Sequence, residues 1–388
     1  MNLLIISPQL CWPSPTSPSG YATGSGSLIR FRALSELFDA TTVVMPCSPA
    51  QKQTVENPIT GHNISVVPLT KPFGSGFWRK VVLPSWLVRN GPVLINEILR
   101  ADAVHTAIPG EAGTIGMLIA FALRKPLLVR YGRNWFMQKT TGEGFLKWFM
   151  ERFASDRNVM LATGGASEPP SLYNPHVHWI FSTTLTEEQL DACEMRLRQL
   201  PRERPRLIIV SRQIKEKGTG VLIESLPLIL KDFPGATLDV VGGGSKLGEF
   251  KELALTLGVS DRVTFFGGLY QARVIQILQQ ADLFCLPTSH PEGFPRAVLE
   301  ALACGLPVIT TRVSVLPQLI GTGCGILLEE ATPVAIAQAV LECLSDEESY
   351  RTMSARAIET ARPYSLERWR DTIGDLLRSA WGPLRSNS

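Results

Sequence analysis

From Leu207 to Thr310 the chain alternates short apolar runs with helix-patterned stretches, each helix closing near a glycine or proline. The apolar runs are Leu207–Val210, Thr237–Val241, Val263–Phe266, Leu283–Leu286 and Val308–Thr310. Between them the spacing predicts helices over Gly220–Leu230, Leu247–Leu257, Ala272–Gln280 and Arg296–Ala303. A strand that is apolar throughout is buried on both faces, and strands joined by helical crossovers run parallel. The amino-terminal half carries a looser version of this pattern. Its strands are Leu3–Ile6, Thr41–Met45, Ala103–Thr106 and Leu127–Val129, and its helices Leu28–Phe38 and Thr114–Leu123. The length of 388 residues exceeds what a single core usually serves. The expected fold class is therefore α/β, with two Rossmann-like doubly wound domains facing a central cleft. Their expected limits are 1–180 and 206–364, with a connection over 181–205 that is rich in Thr, Glu, Arg and Pro.

The composition excludes several function classes. The chain is 45% apolar and 19% charged, as in soluble globular proteins. The longest apolar stretch, Gly113 to Leu123, is closed by Arg124 and Lys125, well short of the roughly 20 residues a spanning helix needs. The opening MNLLIISP lacks the basic region and apolar length of a signal peptide. Seven scattered cysteines with no Cys-x-x-Cys pair argue for reduced thiols rather than disulfides or zinc, and so for the cytoplasm. The net charge of +3 divides unevenly: residues 1–165 hold 16 Lys/Arg against 9 Asp/Glu, and residues 166–388 hold 22 against 26. A basic first half can attract an anionic lipid or acidic acceptor, or can reflect ordinary surface variation. Nothing points to nucleic acid.

The most informative stretch is PTSHPEGFPRAVLEALACGLPV, Pro287 to Val308. Strand Leu283–Leu286 feeds a loop, a helix begins near Pro295, and Gly305 with Pro307 ends it. Glu292 then lies in the loop and Glu300 on the second turn of the helix. The N–H groups of Gly293 and Phe294 and the positive end of the helix dipole suit a phosphate or pyrophosphate. The two carboxylates suit sugar hydroxyls, for which an ionised acid is a strong acceptor. The plainer alternative leaves Glu300 on a helix surface and Glu292 capping the helix. VSRQIKEKGTGVLIESL, from Val210 to Leu226, delivers Arg212 to a strand end and Lys217-Gly218 to the start of the next helix. VVGGGSKLGEF supplies a turn of Gly242, Gly243 and Gly244. The next glycine, Gly248, comes one position too late for a dinucleotide-binding Gly-x-Gly-x-x-Gly, which argues against a nicotinamide dehydrogenase.

With these motifs the chain resembles glycosyltransferase family 4, retaining transferases of the GT-B fold, strongly over residues 205–365 and loosely elsewhere. The resemblance implies that Glu292 contacts the donor sugar and Glu300 the nucleotide ribose. It implies that Arg212 and Lys217 grip the diphosphate, with Lys215 a competitor for the lysine's place. Breaking the bond to the anomeric carbon leaves a diphosphate of growing negative charge, which two cations can offset without a metal. There is no Asp-x-Asp pair, and neither cofactor nor metal is expected. The resemblance places Gly242–Gly244, the FFGGLY turn with Gly267, Gly268 and Leu269, and Pro295 near the nucleotide. Gly24 and Gly26 in the first loop are candidates for the donor phosphate, and His290 for the donor sugar.

The first domain is expected to bind the acceptor, whether a saccharide, a lipid-linked sugar or a small molecule. Where the family often has His-Gly, this chain has Tyr131-Gly132, so Arg130, Tyr131, Arg133 and Asn134 are candidates for shaping the pocket. His105 faces the cleft or serves structure. The last helix, near Leu366–Leu377 within 365–388, is expected to return to the first domain. The segment 77–90 interleaves aromatics with Arg79, Lys80 and Arg89, a pattern suited to peripheral membrane contact at the inner face, although Pro84 is expected to interrupt any helix there. Two rival functions are a nucleotide-sugar epimerase of the same architecture and a non-catalytic nucleotide-sugar-binding subunit.

Overall fold

The computed structural model describes residues 1–24, 28–48, 57–71, 76–165, 168–194, 199–201, 203–290 and 293–386. It divides into two compact units, one of Met1–Thr184 with Leu366–Ser388, the other of Leu185–Ser365.

In the first unit, strands Val177–Ile180, Asn158–Thr163, Leu127–Tyr131, Ala103–Ile108, Asn2–Ile6 and Ala40–Cys47 lie side by side in that order. All these pairings are parallel, as is that of Ile64–Thr70 with Ala40–Cys47. Alternate side chains serve opposite faces, the two-residue period of a strand. Leu4 and Ile6 join one core with Trp86, Leu94, Met117 and Phe149. Leu3 and Ile5 join the other with Leu34, Phe38, Trp369 and Ile373. Helices Gly76–Arg100, Glu111–Ala122 and Thr141–Phe153 contribute to the first core. Helices Ile29–Ser35 and Leu366–Trp381 contribute to the second.

The Gly76–Arg100 helix corrects the expectation for Pro84. It runs through both Pro84 and Pro92. A proline costs a helix one backbone hydrogen bond, but both prolines are exposed, so the carbonyls they orphan can turn to solvent. On the opposite face Trp86, Asn90, Leu94 and Ile98 are buried at four-residue intervals. The Trp86 indole donates to the Thr70 carbonyl (2.7 Å), and Asn90 Oδ1 accepts from the Thr70 N–H (2.9 Å). Trp86 is thus a core residue rather than a membrane anchor. The side chains of Phe77, Trp78, Arg79 and Lys80 lie outside the described residues, and Arg89 is exposed. No helix among the described residues is long and apolar enough to cross a membrane.

The second unit is a six-stranded parallel sheet in the order Val263–Gly267, Thr237–Val241, Arg206–Val210, Leu283–Leu286, Val308–Thr311, Gly325–Leu328. Numbered along the chain this is 3-2-1-4-5-6, the Rossmann order. The direction of winding reverses between Arg206–Val210 and Leu283–Leu286, and open α/β sheets bind ligands beyond the carboxyl ends of strands at such a reversal. The Leu185–Ser365 unit also holds a helix, Glu187–Glu194, within what the sequence reads as connection.

Candidate active site

The loops following the two strands at the reversal are joined directly. The Ser289 N–H and the Thr288 hydroxyl donate to the Glu216 carbonyl (3.0 and 3.1 Å). Gly218 sits at φ +81°, and a Cβ there would lie 2.2 Å from the Pro287 carbonyl oxygen, so only glycine allows this approach. Between them Lys215–Lys217 forms one 3-10 turn, after which helix Thr219–Asp232 begins. The turn separates the two lysines: Lys217 is 7% exposed, whereas Lys215 is exposed. A lysine is buried only where anionic or acceptor groups meet it, which favours Lys217 over Lys215 as the working cation. Arg212, at the end of strand Arg206–Val210, is exposed, and its guanidinium pairs with no carboxylate among the described residues.

Gln213 is the residue that sequence reasoning missed. Its side chain is fully buried, donating through Nε2 to the carbonyls of Ser211 (2.9 Å) and Val241 (3.1 Å) and accepting from the Thr219 hydroxyl (2.8 Å). It thereby fixes the loop that carries Arg212 to both the neighbouring strand and the helix after Lys217. Its position between Arg212 and Lys217 was the only available signal. The Gly242–Gly244 turn packs on the same loop. Gly242 has φ +117°, and its Cβ would fall 1.9 Å from the Ser211 carbonyl oxygen; that of Gly244 would fall 2.3 Å from the Gln213 carbonyl oxygen. These two glycines serve packing of the cation loop, whereas Gly243 faces open space. Gly267 and Gly268 are also open, and Leu269 is half-buried.

Beyond strand Leu283–Leu286, Pro295 caps helix Arg296–Ala303, its carbonyl accepting from the N–H groups of Val298 and Leu299. Phe294 is buried with its ring 5.4 Å from that of Tyr364, which anchors the loop just before the helix, and Gly293 is half-buried. Glu300 is 8% exposed, and Gln271 Nε2 donates to its Oε1 (3.0 Å). It is no helix-surface residue: Gln271 opens the helix that follows the Gly267–Tyr270 turn, so this bond brings Glu300 to that turn. The His290 N–H donates to the Thr288 hydroxyl (3.2 Å), placing His290 beside the Glu216 linkage. Glu292 and Gly26 lie outside the described residues, and Gly24 is exposed. Among the described residues no group of three His, Cys, Asp or Glu is placed to hold a metal ion.

In the first unit, the four residues around Gly132 part company. Tyr131 is fully buried with its ring 5.4 Å from that of Trp135, and burial raises its phenol to about 12. It points into the core, opposite to Arg130, because adjacent strand residues face opposite ways. This corrects its expected place in an acceptor pocket. Arg133 pairs with the buried Glu143, and Asn134 Oδ1 accepts from the N–H groups of Phe136 and Met137 (2.9 Å each), both structural duties. Arg130 and His105, by contrast, line a common cavity. His105 is 3% exposed, its Nδ1 lies 3.0 Å from the Leu128 carbonyl, and its pKa is lowered to about 3. Burial is the main cause, with Arg130 and Arg30 adding to it. The ring is neutral, and a carbonyl partner only accepts, so the proton sits on Nδ1 and Nε2 is an acceptor.

Comparison with known proteins bears on both units. Residues 194–360, which include the whole cation loop and the loop–helix junction, match the model of the family described as glycosyl transferases group 1. This segment is similar to the glycosyl transferases of group 1. A GDP-mannose-dependent alpha-(1-6)-phosphatidylinositol monomannoside mannosyltransferase of Mycobacterium tuberculosis is 32% identical over 188 residues, 46% of this chain and 48% of that one. The match thus spans about half the length of that relative. The enzyme of the same name from Mycolicibacterium smegmatis is 26% identical over 315 residues, 75% of this chain and 80% of its own. Among solved structures, Anabaena Alr3699/HepE in complex with UDP and glucose superposes with a TM-score of 0.69 at 18% identity, covering 97% of this chain and 99% of that one. The fold is GT-B, and the segment that matches the group 1 model lies in its second unit.

Proposed function

We propose that this chain transfers a sugar from a nucleotide-diphosphate donor to an acceptor hydroxyl with retention of anomeric configuration and without a metal. The observation that carries the proposal is that a buried Lys217 follows the first of the two strands at the reversal and a buried Glu300 lies in the helix after the second, with the loops behind those strands joined through the Glu216 carbonyl. A cation there suits a diphosphate, and a buried acid suits ribose hydroxyls. The donor named for the mycobacterial relatives is GDP-mannose, and the neighbouring solved structure holds UDP and glucose, which supports a nucleotide sugar as the common substrate class.

In this reading Arg212 and Lys217 stabilise charge as it builds on the departing diphosphate, aided by the N–H groups of Gly293 and Phe294 at the helix start. Glu292 holds the donor sugar so that its anomeric carbon is presented to the incoming hydroxyl. A leaving phosphate oxygen takes the hydroxyl proton on the same face, which gives retention. The first unit supplies the acceptor site, with Arg130 and His105 its contributors.

A thermal-shift screen with UDP, GDP, ADP and dTDP and their sugar conjugates tests the proposal. The true nucleotide at 100 times its dissociation constant stabilises the fold by about 2.7 kcal/mol. Chromatography of the products then separates transfer to an acceptor from mere isomerisation of the donor. No shift with any of the four, or isomerised donor as the sole product, rejects it.

A further inference from the structure

Lys217 takes its direction from a peptide group held at both ends. The Glu216 carbonyl and the Lys217 N–H belong to one planar unit. The N–H donates to the Ile214 carbonyl (3.2 Å), while the carbonyl accepts from the Ser289 N–H (3.0 Å) and the Thr288 hydroxyl (3.1 Å). Ser289 is exposed, whereas Thr288 is fully buried although it lies in a loop. Thr288 is itself tied to the sheet. Its N–H donates to the Leu286 carbonyl (2.8 Å), and its carbonyl accepts from the hydroxyl of Thr311, the last residue of strand Val308–Thr311. Its branched Cβ restricts the side-chain torsion, so the hydroxyl is aimed before any ligand arrives. The same hydroxyl accepts from the His290 N–H (3.2 Å), two residues ahead of Glu292 in the sequence. One buried side chain thus meets both the turn that carries Lys217 and the loop that follows strand Leu283–Leu286.

We infer that Thr288 is a positioning residue for the transfer, which acts through the Glu216 carbonyl to aim Lys217 at the departing diphosphate. A lysine ammonium sits on a flexible four-carbon stem, so where it arrives depends on the backbone from which it starts. A charge contact accelerates a reaction only if it is oriented before the charge develops. Pinning the Glu216–Lys217 peptide to a strand two elements further along the chain supplies that orientation. The inference rests on the proposed transfer, since it takes Lys217 as the cation at the diphosphate.

A double-mutant cycle in the full chain tests it, read by calorimetry with pyrophosphate and by kcat with the nucleotide sugar. Thr288→Val keeps the shape and removes the hydroxyl. It is expected to weaken pyrophosphate about 3- to 10-fold, the worth of one net hydrogen bond, and to lower kcat by at least that factor. Thr288→Ser restores both. In a Lys217→Ala background Thr288→Val changes either quantity by less than about twofold, because no ammonium is left to aim. A threonine that only stabilises the fold gives the same factor in both backgrounds, and that result overturns the inference. So does unchanged pyrophosphate affinity and kcat in Thr288→Val. Thr288→Cys keeps the volume with a weak donor, is expected to fall between serine and valine, and takes valine's place in the cycle if the valine variant does not fold. A cycle that holds for pyrophosphate in a chain that turns over no nucleotide sugar overturns the proposed transfer and not the role of Thr288. An unmutated chain that binds no pyrophosphate overturns both.

Discussion

Replacing Glu300 separates its two duties. In the fold its carboxylate accepts from Gln271 Nε2 at 3.0 Å while only 8% exposed. Glu300→Ala takes that charged acceptor from the half-buried Gln271 amide, a cost of about 1–3 kcal/mol. For a unit of this size that lowers the melting temperature by roughly 2–10 °C. In the proposed donor site the same carboxylate accepts from ribose, and a hydrogen bond to a charged group is worth about 1.5–3 kcal/mol. The dissociation constant of the nucleoside diphosphate then rises by roughly 10- to 150-fold. Glu300→Gln keeps the shape and an acceptor oxygen, so its stability falls less while nucleotide binding still weakens. Calorimetry with the nucleoside diphosphate and with pyrophosphate alone makes the assignment specific. Pyrophosphate lacks the ribose and binds both variants as it binds the unmutated chain. Nucleoside diphosphate binding that is unchanged in both variants refutes the reasoning, because a buried acid at the nucleotide cannot be removed without effect.

Three further outcomes follow from the same geometry. Arg212→Ala abolishes the thermal shift given by the nucleoside diphosphate, while Glu292→Ala keeps that shift and loses the increment from the attached sugar; identical shifts in both variants and the unmutated chain count against the roles assigned. Gly242→Ala places a methyl 1.9 Å from the Ser211 carbonyl oxygen at φ +117°, and overpacking there costs about 1–3 kcal/mol with backbone strain on top, read from urea unfolding. His105 has a folded pKa of about 3 against an ordinary 6.5, so below pH 6.5 the unfolded chain binds a proton that the folded chain refuses. Its contribution falls by about 1.4 kcal/mol per pH unit from pH 6.5 toward 3, and His105→Gln removes that part of the slope in urea titrations at pH 6.5 and 4.5.

The second unit was the more legible because its strands are buried on both faces. Leu283–Leu286 reads as an unbroken apolar run and Thr237–Val241 as one interrupted by Asp239, and their predicted limits coincide with those observed. The helix that carries Glu300 was legible because a strand end, a proline cap and a terminating glycine fix where a helix can lie; the Gly305 and Leu306 N–H groups close that helix onto the Leu302 and Ala301 carbonyls. The first unit hid more. Strand Ile64–Thr70 is mostly half-exposed and contains Pro68, so it lacks the apolar continuity that marks a strand. The helix through Pro84 and Pro92 is set by a tertiary stripe that overrides local propensity. Tyr131 shows a further limit. Matching it to a family position drew attention to the end of that strand, but the two-residue period turns Tyr131 into the core and offers Arg130 to the cavity instead. Gln213 went unnoticed since a lone glutamine carries no pattern, although its three hydrogen bonds set the cation loop.

The most direct check on the donor site is release of free nucleoside diphosphate from a panel of nucleotide sugars, followed by chromatography, in the unmutated chain and in Lys217→Ala. The account predicts release from one donor class by the unmutated chain and a fall of at least about a hundredfold when the buried cation is removed, in line with the loss of one oriented electrostatic contact in a catalytic site. Undiminished release by Lys217→Ala would contradict it.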